Sequence, residues 1–186
     1  MALIYVTGPS GSGKDSLLRY AREQLSGHAG VCFAHRYVTR AADAGGENHI
    51  ALSYEEFASR SRAGLFALSW AGNELHYGVG VEIENWLAKG LTVVMNGSRE
   101  YLPQARARYP ELVLVEIAVS EPVLRARLLA RGRETAEQLE RRLQRNRELS
   151  TVALHAEVIS NEDYLESAGQ ALVALICRHA RQPHCP

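Results

Sequence analysis

Apolar runs along this chain alternate with stretches in which apolar residues recur every three or four positions. That is the pattern of buried strands separated by amphipathic helices. Strands are predicted at Leu3–Gly8, Val31–Thr39, Leu91–Gly97, Leu112–Val119 and Ala156–Ser160. Helices are predicted at Lys14–Leu25, Val81–Ala88, Leu102–Arg108, Glu121–Ala130, Ala136–Leu149 and Tyr164–His179. Such alternation implies an α/β fold, a parallel sheet flanked by helices, whose ligands bind beyond the carboxyl ends of the strands. Residues 40–78 break the rhythm with several glycines, short strand-like runs and one helix near Tyr54–Arg62. They read as a small substrate-binding insert folded over the sheet edge. A second irregular patch, "ARGRETAEQ" (Ala130–Gln138), interrupts an arginine-rich helical region and reads as a lid over residues 130–140.

Length and charge narrow the functional classes. The 186 residues fit one domain, 1–186, with a substantial core. The 21 basic and 21 acidic side chains balance, so bulk charge favours neither nucleic acid nor a membrane as partner. No apolar run approaches the roughly 18 residues of a membrane span, and "ALIYVTG" is too short for a signal peptide. Cys32, Cys177 and Cys185 have no metal-ligand spacing, which reads as a reduced, cytoplasmic chain with incidental thiols. The histidines show no ligand spacing either. Nothing in the sequence assigns an oligomeric state.

The chemistry starts at "GPSGSGKDS", Gly8–Ser16. Gly8, Gly11 and Gly13 permit a tight turn whose N–H groups converge on a common cavity, with Pro9, Ser10 and Ser12 between them. The helix that follows adds its positive end. Lys14, one of only two lysines, then reaches the β- and γ-phosphates of a nucleotide. An apolar strand before and a helix-forming segment after give the motif the context it needs. The expected fold is therefore a P-loop NTPase, and the expected cofactors are ATP and Mg²⁺. Where the pattern calls for Ser or Thr after the lysine, this chain has Asp15. A carboxylate is also a hard oxygen ligand, so Asp15 reads as a direct or water-mediated magnesium ligand. The alternative turns Asp15 away and leaves the coordination to Ser16 or water.

"GPSGSGKDSLL", "HRYVTR" and the insert ending "HYG" together resemble the guanylate kinase family, nearly end to end. The resemblance implies that Arg36 or Thr39, Arg40 and Tyr77 hold the acceptor phosphate. The family reads its guanine with a glutamate in a "GEFLEWA" segment; here "GLFALSWA" puts Leu68 or Ser69 at that place. Its "DxxG" aspartate is also missing from "MNGSRE". These departures, with "FALSW", "YGVGVEIENWL", "MNGSR" and "LLARGRE", resemble a narrower group, the ribose 1,5-bisphosphate phosphokinases of bacterial phosphonate breakdown. That likeness implies transfer of the γ-phosphoryl of ATP to the 1-phosphate of ribose 1,5-bisphosphate, giving 5-phosphoribosyl 1-diphosphate and ADP. Asp15 belongs to the resemblance. The alternatives are a nucleoside monophosphate (GMP) kinase, or a non-catalytic guanylate-kinase-like binding module.

Transfer to a phosphate oxygen needs alignment and charge neutralisation more than a general base. Lys14 and the lid arginines Arg131 and Arg133 supply that charge, with Arg142 and Arg145 three apart on the next helix. The competing reading of the last two is a solvated basic helix offset by neighbouring glutamates. Asn96, Ser98 and Arg99 end the third main strand at the active edge and read as substrate- or metal-positioning groups. Glu82 or Glu84, after the insert, is a candidate partner of ribose hydroxyls.

Overall fold

Alternating burial sorts the strand side chains onto two faces. The computed structural model describes residues 2–44, 46–132, 135–149 and 156–180. Its main sheet is entirely parallel, in the order β2-β7-β1-β8-β9. These strands are β1 (Leu3–Thr7), β2 (Val31–Phe33), β7 (Thr92–Asn96), β8 (Val113–Ala118) and β9 (Glu157–Ser160). On one face Ile4, Val6, Val94, Val115 and Ile117 meet Leu17 and Ala21 of α1 (Lys14–Gln24) and Leu172 and Ile176 of α7 (Leu165–His179). On the other, Leu3, Tyr5, Val93, Met95 and Leu114 pack with Ile83 of α3 (Glu82–Ala88) and Leu102 and Ala105 of α4 (Leu102–Arg108). A parallel strand buried on both faces must be apolar throughout, which is why β1 and β7 were legible as unbroken runs.

A second sheet, in the order β4-β3-β6-β5, is built from β3 (Arg36–Val38), β4 (Ile50–Ala51), β5 (Phe66–Gly72) and β6 (Leu75–Gly80). Asn73 and Glu74 both take positive φ, 49° and 61°, at the tight turn joining β5 to β6. α2 (Tyr54–Arg62) lays Phe57 on Phe66, with ring centroids 4.6 Å apart. Leu68 and Val79, in register on β5 and β6, join the core beneath.

The segment Val31–Thr39, expected as one strand, is two. Ala34 N–H still bonds to Val94 O at 2.9 Å, but the chain then leaves the main sheet, and Arg36–Val38 pairs antiparallel with β6. β2 is an edge strand three residues long, and Arg36 has no place in a sheet covered on both faces. Past β8, α5 (Glu121–Arg131) and α6 (Ala136–Leu149) form a hairpin with its own core of Leu124, Leu128, Leu139 and Leu143. Among the described residues no helix is long and apolar enough to cross a membrane. Cys32 is a free thiol, whereas Cys177 on α7 is disulfide-bonded and so departs from the expectation of reduced thiols.

The turn after β7 shows how the core shapes the active edge. Tyr5 is fully buried; its hydroxyl donates to Ser98 O and accepts from Ser98 N–H, each at 2.9 Å. A Cβ on Gly97 would stand 2.2 Å from the Tyr5 ring. Gly97→Ala is therefore expected to destabilise the fold by about 1–3 kcal/mol, read as a lower denaturation midpoint. A wild-type midpoint would show that the ring or the turn gives way freely.

Candidate active site

The glycine-rich loop leaves the central strand β1 at the carboxyl edge of the sheet. Ser12 N–H bonds back to Pro9 O at 3.0 Å, closing a turn, and Gly13 caps α1 in the left-handed region at φ 86°. Asn161, just past β9 and buried, donates its side-chain amide to Ser12 O at 2.6 Å. That amide stands where a Cβ on Gly13 would fall, 2.4 Å away, so glycine is required there for both conformation and space. Arg127 of α5 adds bonds to Ser12 O at 3.5 Å and Glu162 O at 3.2 Å. Arg142 of α6 donates to Ser10 Oγ at 2.9 Å. Asn161 and Arg127 were not found from the sequence. A polar residue directly after a buried parallel strand, as in "SNED", is the signal that could have found Asn161.

Lys14 opens α1 with its side chain 14% exposed and its Nζ 3.8 Å from Asp15 Oδ1. Burial pulls its pKa below the ordinary lysine value; Asp15 and Glu47 oppose that fall, and Arg36 and Arg99 add to it. Asp15 is more exposed, at 41%, and accepts from Asn96 Nδ2 at 3.0 Å. Asp15 lines a cavity shared with Asn96 and Glu47, whereas Ser16 lines a separate groove with Gly11, Gly13, Arg131 and Asn161. No group of three or more His, Cys, Asp or Glu side chains among the described residues forms a metal cage. The donor set still suits Mg²⁺, which is held by one or two carboxylates while phosphates and water complete its shell.

Glu47, which sequence reasoning missed, is the hub of the opposite wall. Its carboxylate accepts Arg36 Nε and Nη2 at 2.5 Å each, Arg40 Nη2 at 3.3 Å and Asn96 Nδ2 at 3.2 Å. It lies in an irregular loop, where no periodicity marks an inward side chain. Burial alone would raise its pKa, but the hydrogen bond and charge of Arg36, then Lys14 and Arg40, outweigh burial and hold the carboxyl below its ordinary value. The Arg36 guanidinium lies 4.9 Å from the centre of the Tyr77 ring, and Tyr77 stacks on Trp70, which stacks on Tyr101. Arg36, Leu68 and Val79 are linked by strand register, so this face carries apolar side chains and one arginine.

The remaining sequence-predicted groups divide. Asn96 stands between Asp15 and Glu47, and Arg40 joins Glu47. Thr39 is buried, its hydroxyl accepting from His76 N–H at 2.8 Å. Ser98 is tied to Tyr5 through its backbone, and Arg99 donates to Asn146 of α6 at 2.7 Å. Arg145 is held in a two-bond fork by Glu100, at 2.7 and 2.6 Å. Arg131 lines the groove beside the loop glycines, and Arg133 lies outside the described residues. Glu84 pairs with Arg108 at 2.5 Å on an exposed surface, while Glu82 accepts from Tyr37 Oη at 3.4 Å. Among the described residues, three buried side-chain polar atoms lack a partner: Ser12 Oγ, Arg40 Nε and Asn96 Oδ1. All three belong to this site. A buried polar atom without a partner is costly; Arg40 and Asn96 both bond to Glu47, while Ser12 Oγ lies within the loop against Gly8.

Glu47 also makes a pH prediction. A carboxyl whose pKa is depressed on folding contributes stability above its unfolded pKa and loses it as pH falls through the folded value. Glu47→Gln is expected to cost about 3 kcal/mol at neutral pH, because it strands buried arginine charge. The gap to wild type should narrow as pH drops below the ordinary carboxyl value of 4.5. Denaturation of both proteins across that range checks it; a gap independent of pH would remove Glu47 as the titrating group.

Comparison with known proteins accords with this geometry. Residues 1–178 match the guanylate kinase family. A guanylate kinase from Anaplasma phagocytophilum superposes with a TM-score of 0.69 at 18% identity, over 98% of this chain and 88% of its own. "Ribose 1,5-bisphosphate phosphokinase PhnN" of Thiobacillus denitrificans is 55% identical over 94% of this chain and 92% of its own. The protein of the same name from Desulfomicrobium baculatum is 54% identical over 94% and 93%. A phosphate loop, a metal-competent carboxylate and an acceptor wall without a base reader thus sit in a chain that belongs to the guanylate kinase family, in its branch of ribose 1,5-bisphosphate phosphokinases.

Proposed function

We propose that this protein is an ATP-dependent ribose 1,5-bisphosphate phosphokinase, acting in the cytoplasm on a small sugar phosphate. An oxygen of the acceptor's 1-phosphate bonds to the γ-phosphorus of ATP as the bond from that phosphorus to the β–γ bridging oxygen breaks. The products are 5-phosphoribosyl 1-diphosphate and ADP. The observation that carries this reading is the glycine-rich loop with Lys14 beside a wall on which Glu47 holds Arg36 and Arg40, with Leu68 or Ser69 in place of a base-reading glutamate.

In this reading the loop's N–H groups and Lys14 hold the β- and γ-phosphates. A bound anion also returns to Lys14 the counter-charge that burial withholds. The groove of about 310 Å³ lined by Arg131, Asp163 and Leu165 takes the nucleoside part of ATP. Asp15 holds Mg²⁺, which when bound neutralises the phosphate charge. Arg36 and Arg40, oriented by Glu47, and Tyr77 align the acceptor phosphate, with Asn96, Ser98 and Arg99 at the floor. The lid at 130–140 brings Arg131 and Arg133 to the transferring phosphoryl, with Arg142 and Arg145 following on α6. The acceptor oxygen is already ionised near neutral pH, so no general base is required. Neither Leu68, buried in the core, nor Ser69 offers a guanine a carboxylate, and a polar ring edge left unpaired is rejected strongly.

A phosphorus NMR time course with Mg-ATP tests this, using ribose 1,5-bisphosphate or GMP as acceptor. A new diphosphate signal is expected with the sugar alone, and Lys14→Ala should lower kcat at least about 10²-fold. Turnover of GMP alone, or of neither acceptor, overturns the proposal.

A further inference from the structure

A bisphosphate acceptor needs two anion seats, and the wall described so far supplies one. Beside it a small cavity of about 60 Å³ opens between α1 and the loop that carries Glu47. At about 10–15 Å³ per water on this measure, that is room for about four to six waters, more than one phosphoryl group fills. Asp15, Glu47 and Asn96 line the cavity, as do Arg19, Arg22 and Phe33. Asp15, Arg19 and Arg22 stand at positions i, i+4 and i+7, one face of α1. Arg19 is thus about 6 Å and Arg22 about 10 Å along the helix axis from Asp15. A five-carbon sugar with a phosphate at each end covers such a span.

These two arginines differ from the other cations of the site. Arg36 and Arg40 are engaged by Glu47, Arg145 by Glu100 and Arg99 by Asn146. Arg19 and Arg22 donate no hydrogen bond and form no ion pair among the described residues. Arg22 is nonetheless held: its guanidinium lies over the Phe33 ring, 5.5 Å from the centroid, and is half-buried. A guanidinium fixed on an aromatic face with its N–H groups uncommitted is preorganised for a phosphate. The charges facing the cavity suit a ligand that is anionic at its ends and hydroxylated between. Glu47 is neutralised by Arg36 and Arg40, Asp15 has Lys14 at 3.8 Å, and a carboxylate is a ready acceptor for a sugar hydroxyl. Asn48, on the rim, is tied to His35 at 3.0 Å and keeps its carbonyl oxygen for the same use.

From this we infer that the cavity is the seat of the acceptor's second, non-reacting phosphate. Arg19 and Arg22 bind that phosphate, and the ribose hydroxyls lie along Asp15, Glu47 and Asn96. The assignment rests on the bisphosphate acceptor proposed above. It makes Arg19 and Arg22 specificity residues, which select a sugar phosphorylated at both ends.

Two measurements on the full chain test the seat, one with turnover and one without. With Mg-ATP, the Arg19→Gln/Arg22→Gln double variant should lose kcat/KM for ribose 1,5-bisphosphate by roughly 10- to 100-fold. Its kcat/KM for ribose 1-phosphate and its KM for ATP should stay at wild-type values. By calorimetry, ribose 5-phosphate should bind the wild type more tightly than the variant by a similar factor, and Arg22→Lys should recover part of the loss. An equal loss on both acceptors, or no loss, overturns the assignment. If the wild type phosphorylates neither acceptor, the proposed reaction fails, and calorimetry still decides the seat. Equal binding of ribose 5-phosphate by wild type and variant, or no binding to either, overturns it.

Discussion

Cations gathered in a half-closed pocket repel one another and lose hydration, so a site built to grip phosphates works against the fold that carries it. Here the conflict centres on the start of α1, where Lys14 is buried enough for its pKa to fall. Glu47 resolves much of it. One carboxylate serves as counter-ion to Arg36 and Arg40 and is bridged through Asn96 to Asp15. The pocket therefore exists without ligand while some of its donors stay unspent. Arg40 Nε and Ser12 Oγ, buried and unpartnered, show how far that compromise goes.

The phosphate loop gains its rigidity from elements distant in sequence. Asn161 follows the last strand, Arg127 comes from α5 and Arg142 from α6, yet all three bond to Ser10 or Ser12. The same α5–α6 hairpin reaches the turn after β7 through Arg145 with Glu100 and Asn146 with Arg99. A shift of that hairpin would be felt at once at the loop and at the floor of the acceptor pocket. The hairpin, the loop and that turn are thus tied together by direct bonds.

Selectivity follows from the second sheet. Strand register links Arg36, Leu68 and Val79, so that face carries an arginine and no carboxylate. In its place a column of Arg36, Tyr77, Trp70 and Tyr101 fixes one guanidinium against a stack of rings. The result is a cationic wall held against aromatic rings.

Repeating patterns made the main sheet legible. β1, β7 and β8 are buried on both faces, so their apolar runs could not be mistaken, and the glycines and lysine of the loop announce themselves by local backbone demands. Val31–Thr39 misled because β-branched and aromatic residues favour extended backbone in either sheet, and only pairing partners decide where one strand stops. The arginines were legible as a supply of charge. Which carboxylate, ring or amide each one meets is set by folding, across 7 residues for Arg40 with Glu47 and 132 for Arg142 with Ser10. Glu47 and Asn161 sit in loops, where no period tells an inward side chain from an outward one. By itself, then, the sequence determined the parallel sheet, the phosphate loop and the class of chemistry, because those rest on local periodicity and backbone geometry. Tertiary structure alone decided which charges are spent and which are left for ligand, because that balance is struck between residues brought together only by folding.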